Sequence, residues 1–119
     1  MHPPADFWQA LERLLASSTL VIDRPKGSRH PRFPDLVYDV DYVYLAGTTA
    51  MDGGGIDVWR GTSLEQRLDA VVVTVDLTKR DTEIKLLLGC TDAETARILR
   101  FHNESPYMKG ILLRRPREE

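Results

Sequence analysis

Apolar residues near the start of the chain recur at Phe7, Trp8, Leu11, Leu14 and Leu15, one face of a 3.6-residue period, while Glu12 and Arg13 fall off it. The spacing predicts a helix that opens at Asp6, or at Pro3-Pro4 before it, and ends at Ser17-Ser18. Thr19 to Ile22 is short and β-branched, which predicts a strand running into Arg24-Pro25-Lys26-Gly27-Ser28, a sequence that cannot continue a ladder. Pro31 and Pro34 extend that irregular stretch. From Leu36 to Leu45 the pattern alternates, with Tyr38, Tyr42 and Tyr44 on one face and Val37 and Val43 on the other. Gly53-Gly54-Gly55 interrupts it and Ile56 to Arg60 resumes it. A long strand pattern covers Asp69 to Leu77, followed by a turn at Thr78-Lys79-Arg80 and a second strand from about Thr82 to Leu88. Thr91-Asp92-Ala93-Glu94 has the spacing of a capping box, ahead of a helix reaching about Phe101. Ile111 to Arg114 reads as a last strand.

Five or six short strands with one helix before them and another after the last hairpin, near residues 93–101, predict an α+β, mainly β chain built on a small antiparallel barrel. At 119 residues, 42% hydrophobic and 29% charged, the composition suits one compact domain spanning 1–119, with enough core to need no disulfide or zinc staple. Cys90 is alone, so neither a disulfide framework nor a cysteine-based metal cluster is available, and a reducing compartment is expected. Apolar runs such as Ala70 to Val73 are far below the roughly 20 residues of a membrane span. The first residues show no basic and apolar leader pattern, so the expected location is the cytoplasm.

The charges nearly cancel, 16 basic against 18 acidic for a net of -2, which argues against a protein that coats nucleic acid or an anionic membrane. Their order is more informative. Arg24, Lys26, Arg29 and Arg32, with His30, form a stretch without acids, and Asp35, Asp39, Asp41, Asp52 and Asp57 follow without any Lys or Arg. Such sorting suits a site that holds both an anion and a hard cation, and it also suits a solvated surface. Within the acidic stretch, Asp52-Gly53-Gly54-Gly55-Ile56-Asp57-Val58-Trp59 sets two aspartates around glycines at a strand entrance, which lets both carboxylates approach one point. Divalent cations such as magnesium take oxygen ligands of this kind, although Asp and Gly are also ordinary turn residues. Asp76, Asp81 and Glu83 supply further carboxylates on the later hairpin, and Asp81, Glu83 and Lys85 share strand parity. Alternating charges of that kind also protect an exposed hairpin edge.

Together, Tyr38-Asp39-Val40-Asp41-Tyr42-Val43-Tyr44-Leu45, Asp52-Gly53-Gly54-Gly55-Ile56-Asp57-Val58 and Asp81-Thr82-Glu83-Ile84-Lys85 resemble the soluble, metal-dependent inorganic pyrophosphatases of the single-barrel type, in a short bacterial form. The family reads Tyr-Pro-x-Asn-Tyr-Gly-Tyr in the first segment and Asp-Gly-Asp-Pro-x-Asp-Val in the second, with the same spacing between them. The resemblance covers about half the chain, as counted over these segments and the Arg24 to Arg32 loop. It implies a five-stranded OB-like antiparallel barrel and a magnesium-dependent inorganic diphosphatase that splits pyrophosphate into two phosphates. By position, Asp52 and Asp57 would be metal ligands, Glu83 the third acidic ligand, and Asp76 or Asp81 a further one. Lys85, Tyr42 and Tyr38 would meet the substrate, with Lys26, Arg29 and Arg32 as its basic grip. A homo-oligomer is the assembly that the resemblance implies.

The sequence also departs from that pattern. Gly54 stands where the family has the aspartate that takes a proton from the attacking water, Asp41 replaces an asparagine, Val43 a glycine and Asp39 a proline. Either Asp41 or Asp39 substitutes as the base and the chain is a working diphosphatase, or the chain binds metal and phosphate compounds with little turnover. An OB-type module stacking single-stranded nucleic acid on Tyr38, Tyr42 and Tyr44 is a third reading, opposed by the interleaved aspartates. His102 is expected to cap helix carbonyls, Trp59 and Trp8 to pack the core, and Cys90 to act as a small buried hydrophobe.

Overall fold

The computed structural model describes residues 4–51 and 53–116. The amphipathic first segment is helix α1 (Ala5–Ala16), followed by strands β1 (Leu20–Arg24), β2 (Asp41–Leu45), β3 (Ile56–Arg60), β4 (Leu68–Asp76) and β5 (Asp81–Leu88), helix α2 (Asp92–Phe101) and strand β6 (Met108–Arg114). Every element lies within a few residues of its predicted span, except β2. The strand expected from Leu36 begins only at Asp41, because the backbone before it pairs with the preceding loop instead: Tyr38 N–H donates to Ser28 O and Gly27 N–H donates to Tyr38 O.

The mainly β α+β class holds, with two differences in the sheet. Six strands, rather than five, form one sheet in the order β1-β2-β3-β5-β4-β6, which is left open with β1 and β6 at its edges. All pairings are antiparallel but one, β3 with β5. The parallel pairing arises because the chain leaves β3, skips a strand position to lay down β4, and folds β5 back into the gap through the Leu77–Arg80 turn. Asp57 and Lys85, 28 residues apart, are thereby set on neighbouring strands.

Strand alternation divides the core between the two faces of the sheet. On one face Val43, Leu45, Val58, Val71 and Leu86 pack under α1, whose Trp8 is 1% exposed. On the other, Trp59, Ala70, Val72 and Leu87 pack under α2 through Ile98, with Tyr38 and Val40 in the same cluster. The capping box at α2 is present as the sequence predicts: Glu94 N–H donates to Thr91 Oγ1, and the Glu94 carboxylate accepts the Thr91 N–H. That carboxylate also accepts the Thr62 N–H and hydroxyl, which ties α2 to the loop after β3. At the mouth of β3, Gly55 is required by packing, since a Cβ there would lie 2.7 Å from Leu45 O.

Candidate functional site

The face under α2 carries the chemistry. Cross-strand register sets Tyr42 opposite Trp59 and Tyr44 opposite Asp57, while Glu83 and Lys85, two apart on β5, point to the same side. The Lys85 ammonium donates to Tyr42 Oη at 2.7 Å, to Asp57 Oδ2 at 2.9 Å and to Glu83 Oε2 at 2.9 Å. An ammonium has three protons, and each meets an oxygen. The cluster is well covered: the side chains of Lys85, Glu83 and Asp57 are 7%, 6% and 18% exposed. Burial would lower the Lys85 pKa, but the Tyr42 hydroxyl and the two carboxylates outweigh it and hold the group charged, above its usual range. Burial pushes the Tyr42 hydroxyl well above its ordinary value, so it stays protonated and is also hydrogen-bonded to Asp57. Two carboxylates against one ammonium leave a net negative charge in a covered place.

Of the other predicted acidic positions, Asp52 lies outside the described residues. Asp76 serves the hairpin turn, its Oδ1 accepting the N–H groups of Thr78 and Lys79 at 2.9 and 3.0 Å. Asp81 pairs with Asp76 across the hairpin and lies four residues from Lys85, about 13 Å along a strand. Among the described residues, no three His, Cys, Asp or Glu side chains cluster as a metal site would need. Magnesium nevertheless keeps several waters and uses one or two carboxylates together with substrate phosphates, so the oxygen pair of Asp57 and Glu83 is a donor set that fits it.

Asp41 is not directed into this cluster. It lies one residue from Tyr42 on β2 and is committed elsewhere, with Oδ1 accepting the Lys26 N–H at 2.8 Å and Oδ2 paired with Arg60 at 3.2 Å. The Lys26 hydrogen bond, opposed by partial burial and aided by Arg60, holds its carboxyl below the usual carboxylate range. Arg29 donates to Pro34 O at 2.8 Å, so it staples its own loop, and the Lys26 and Arg32 side chains are exposed. Tyr38 is 6% exposed and its ring lies 5.7 Å from that of Tyr42.

Three contributors have contacts at the site that the sequence does not predict. Arg24 is hydrogen-bonded to the Tyr38 hydroxyl, Arg60 anchors Asp41, and His102 braces Trp59. His102 is the C-cap of α2, its backbone N–H donating to Ile98 O, while its ring is buried under β6: its Nε2 accepts the Trp59 indole N–H at 3.1 Å, and desolvation lowers its pKa to about 3. Trp59 in turn lies 4.6 Å from the Tyr42 ring. The Trp59–His102 contact spans 43 residues of sequence, and no local pattern in a single chain announces it. Arg24 was visible only as one charge of the basic stretch. Cys90 is half-buried, and burial, reinforced by the Glu94 charge, pushes its thiol up to about 12, which leaves it unreactive.

Among the described residues, no helix is long and apolar enough to cross a membrane. No protein-family model matches the chain. No curated protein matches it either. Solved structures do. An inorganic pyrophosphatase from Neisseria gonorrhoeae superposes with a TM-score of 0.57 at 18% identity, over 76% of this chain and 77% of that one. An inorganic pyrophosphatase from Helicobacter pylori does so with a TM-score of 0.53 at 15% identity, over 84% of this chain and 83% of that one. The open six-stranded sheet with its two helices is therefore a pyrophosphatase-like fold.

Proposed function

We propose that this chain is a magnesium-dependent inorganic diphosphatase, hydrolysing pyrophosphate or a related diphosphate, and that it works as one cytoplasmic domain within a homo-oligomer. The observation that carries the reading is the convergence of Tyr42, Asp57, Glu83 and Lys85, from three adjacent strands, on a single point of a pyrophosphatase-like fold. Asp57 and Glu83, with Asp52, would hold magnesium, which when bound supplies positive charge against the phosphates and a Lewis-acid centre. The chain itself supplies the rest. Phosphoryl transfer needs charge neutralisation and positioning more than covalent chemistry; Arg24 brings positive charge to the side of the cluster marked by Tyr38, and Lys26 and Arg32 are exposed on the loop that follows Arg24. The Tyr42 hydroxyl, kept protonated by burial, would offer its one hydrogen bond to a phosphate oxygen once Asp57 turns to the metal. Release of phosphate from pyrophosphate, measured with and without magnesium, tests the reading. Magnesium-dependent release that Asp57→Ala abolishes supports it, and no release above background at high enzyme concentration overturns it. Light scattering in solution tests the assembly, for which a mass that is a multiple of 13.5 kDa is expected and a monomer mass is not.

A second reading, binding with little turnover, is favoured by Asp41. The base that would replace the missing family aspartate already spends both oxygens on Lys26 and Arg60, and a carboxylate held below its usual range is a weak proton acceptor. The nucleic-acid reading loses its support, since Tyr38 is packed in the core rather than offered for stacking.

A further inference from the structure

We propose that Lys85 is a built-in counter-ion: in the metal-free protein its ammonium holds Asp57 and Glu83 together, and a divalent cation that binds the pair displaces it. The inference rests on the reading that this pair takes magnesium. Two carboxylates from different strands, both largely removed from water, repel each other unless a cation lies between them. Among the described residues, the ion pairs of both carboxylates are made with Lys85, at 2.9 Å each. The nearest guanidinium on β3, Arg60, faces Asp41 instead. With Tyr42 as its third acceptor the ammonium has no proton left for a phosphate oxygen, so in this arrangement it acts on the carboxylates and not on a substrate.

Lys85 can also leave without being stranded. Its four-carbon stem is flexible, and Tyr42 gives the ammonium a second hold through its hydroxyl at 2.7 Å. A cation that replaces the ammonium between the carboxylates frees up to two of its N–H groups. Those are then available to a phosphate beside the metal. The same lysine thus keeps the carboxylates in place before the metal arrives and turns toward the substrate afterwards. The cost is a lower affinity for the metal, because magnesium must compete with a charge already there.

The test follows the ammonium directly. Nitrogen-15 NMR of the full-length, labelled chain should show a lysine ammonium signal protected from exchange, absent from Lys85→Met, which shifts or broadens saturably as magnesium chloride is added but not with potassium chloride. Calorimetry should find magnesium bound to Lys85→Met tighter than to the unaltered chain by about tenfold or more, in the ordinary range of coupling between two ligands of one site. Magnesium binding that leaves the ammonium signal unmoved, or a variant that binds no tighter, overturns the inference and leaves the diphosphatase reading standing. Absence of magnesium binding in both proteins overturns the two together. Where Lys85→Met does not fold, the titration of the unaltered chain decides alone.

Discussion

Glycine at position 54 has no proton acceptor, and the aspartate offered by the strand before it, Asp41, is spoken for by Lys26 and Arg60. Restoring a carboxylate at that one position therefore separates the two functional readings. Gly54→Asp is expected to raise the rate of phosphate release by about 10²-fold, the lower range of general-base catalysis, while leaving magnesium binding unchanged. A variant that binds magnesium normally and gains no rate removes the assigned role of the position. Tyr42 allows a complementary measurement. Its hydroxyl accepts from Lys85 and is hydrogen-bonded to Asp57, so Tyr42→Phe leaves a buried ammonium proton without its acceptor, a loss of about 1–3 kcal/mol in urea denaturation. At this scale the sequence was legible where chemistry follows residue type and spacing: Asp57, Glu83, Lys85 and Tyr42, each singled out by residue type and position, meet at one point. It was illegible where a side chain chooses among partners. Nothing local says that Asp41 turns to Arg60, or that Asp76 is spent on the backbone of its own turn.

Among the elements, α2 is the one most firmly specified by its own sequence, and its fastening reaches beyond itself. Thr91 and Glu94 cap each other, and Glu94, 3% exposed, also receives two hydrogen bonds from Thr62. Burial alone would raise the Glu94 pKa, but these donors hold it below the ordinary glutamate range. Thr91→Ala is expected to cost about 1 kcal/mol, as for an ordinary helix cap, and Glu94→Ala distinctly more, since it releases the Thr62 loop as well. Thermal or urea unfolding of the two variants side by side checks the order. The other end of α2 guards the sheet: the Asn103 amide donates to Gly110 O at 3.0 Å and accepts Gly110 N–H at 3.2 Å, occupying part of the outer edge of β6. Exposed edges template pairing with other chains, so Asn103→Ala should increase aggregation on heating, followed by light scattering. Helices and hairpins were legible because their signals are local. The start of β2 was misplaced because Tyr38 alternates like a strand residue but finds its backbone partners in the loop at Gly27 and Ser28.

For the whole molecule, the order of strands matters more than their number. Strand β5 is inserted between β3 and β4, and the pairing that results is what carries Lys85 to Asp57. Alternation in a sequence reports which residues share a face but not which strand lies alongside, so the parallel pairing could not be read from the pattern. Stability as a whole should depend on pH through the buried histidine. His102 titrates at about 3 in the folded chain and near 6.5 when unfolded, so the unfolded state alone takes up its proton between those values. Unfolding free energy should be undiminished by this group above pH 6.5 and fall by up to about 1.4 kcal/mol per unit as pH drops below it. His102→Gln should flatten that slope in urea titrations from pH 7 to 5, and an unchanged slope would remove His102 as its source. Glu94 and Asp41, both held low, add to the loss only under more acidic conditions.

The hydrogen bond between Trp59 and His102 also gives the molecule an optical property. The two tryptophans lie on opposite faces of the sheet, Trp8 on α1 and Trp59 with its ring 4.6 Å from Tyr42. An indole fixed by one neighbour and touching another responds to small displacements of the second, and Tyr42 is the residue through which Lys85 would shift. With Trp8→Phe in place, the emission of Trp59 becomes a dye-free signal from within van der Waals reach of the Lys85 cluster, able to time the arrival of magnesium and of pyrophosphate in a stopped-flow mixer.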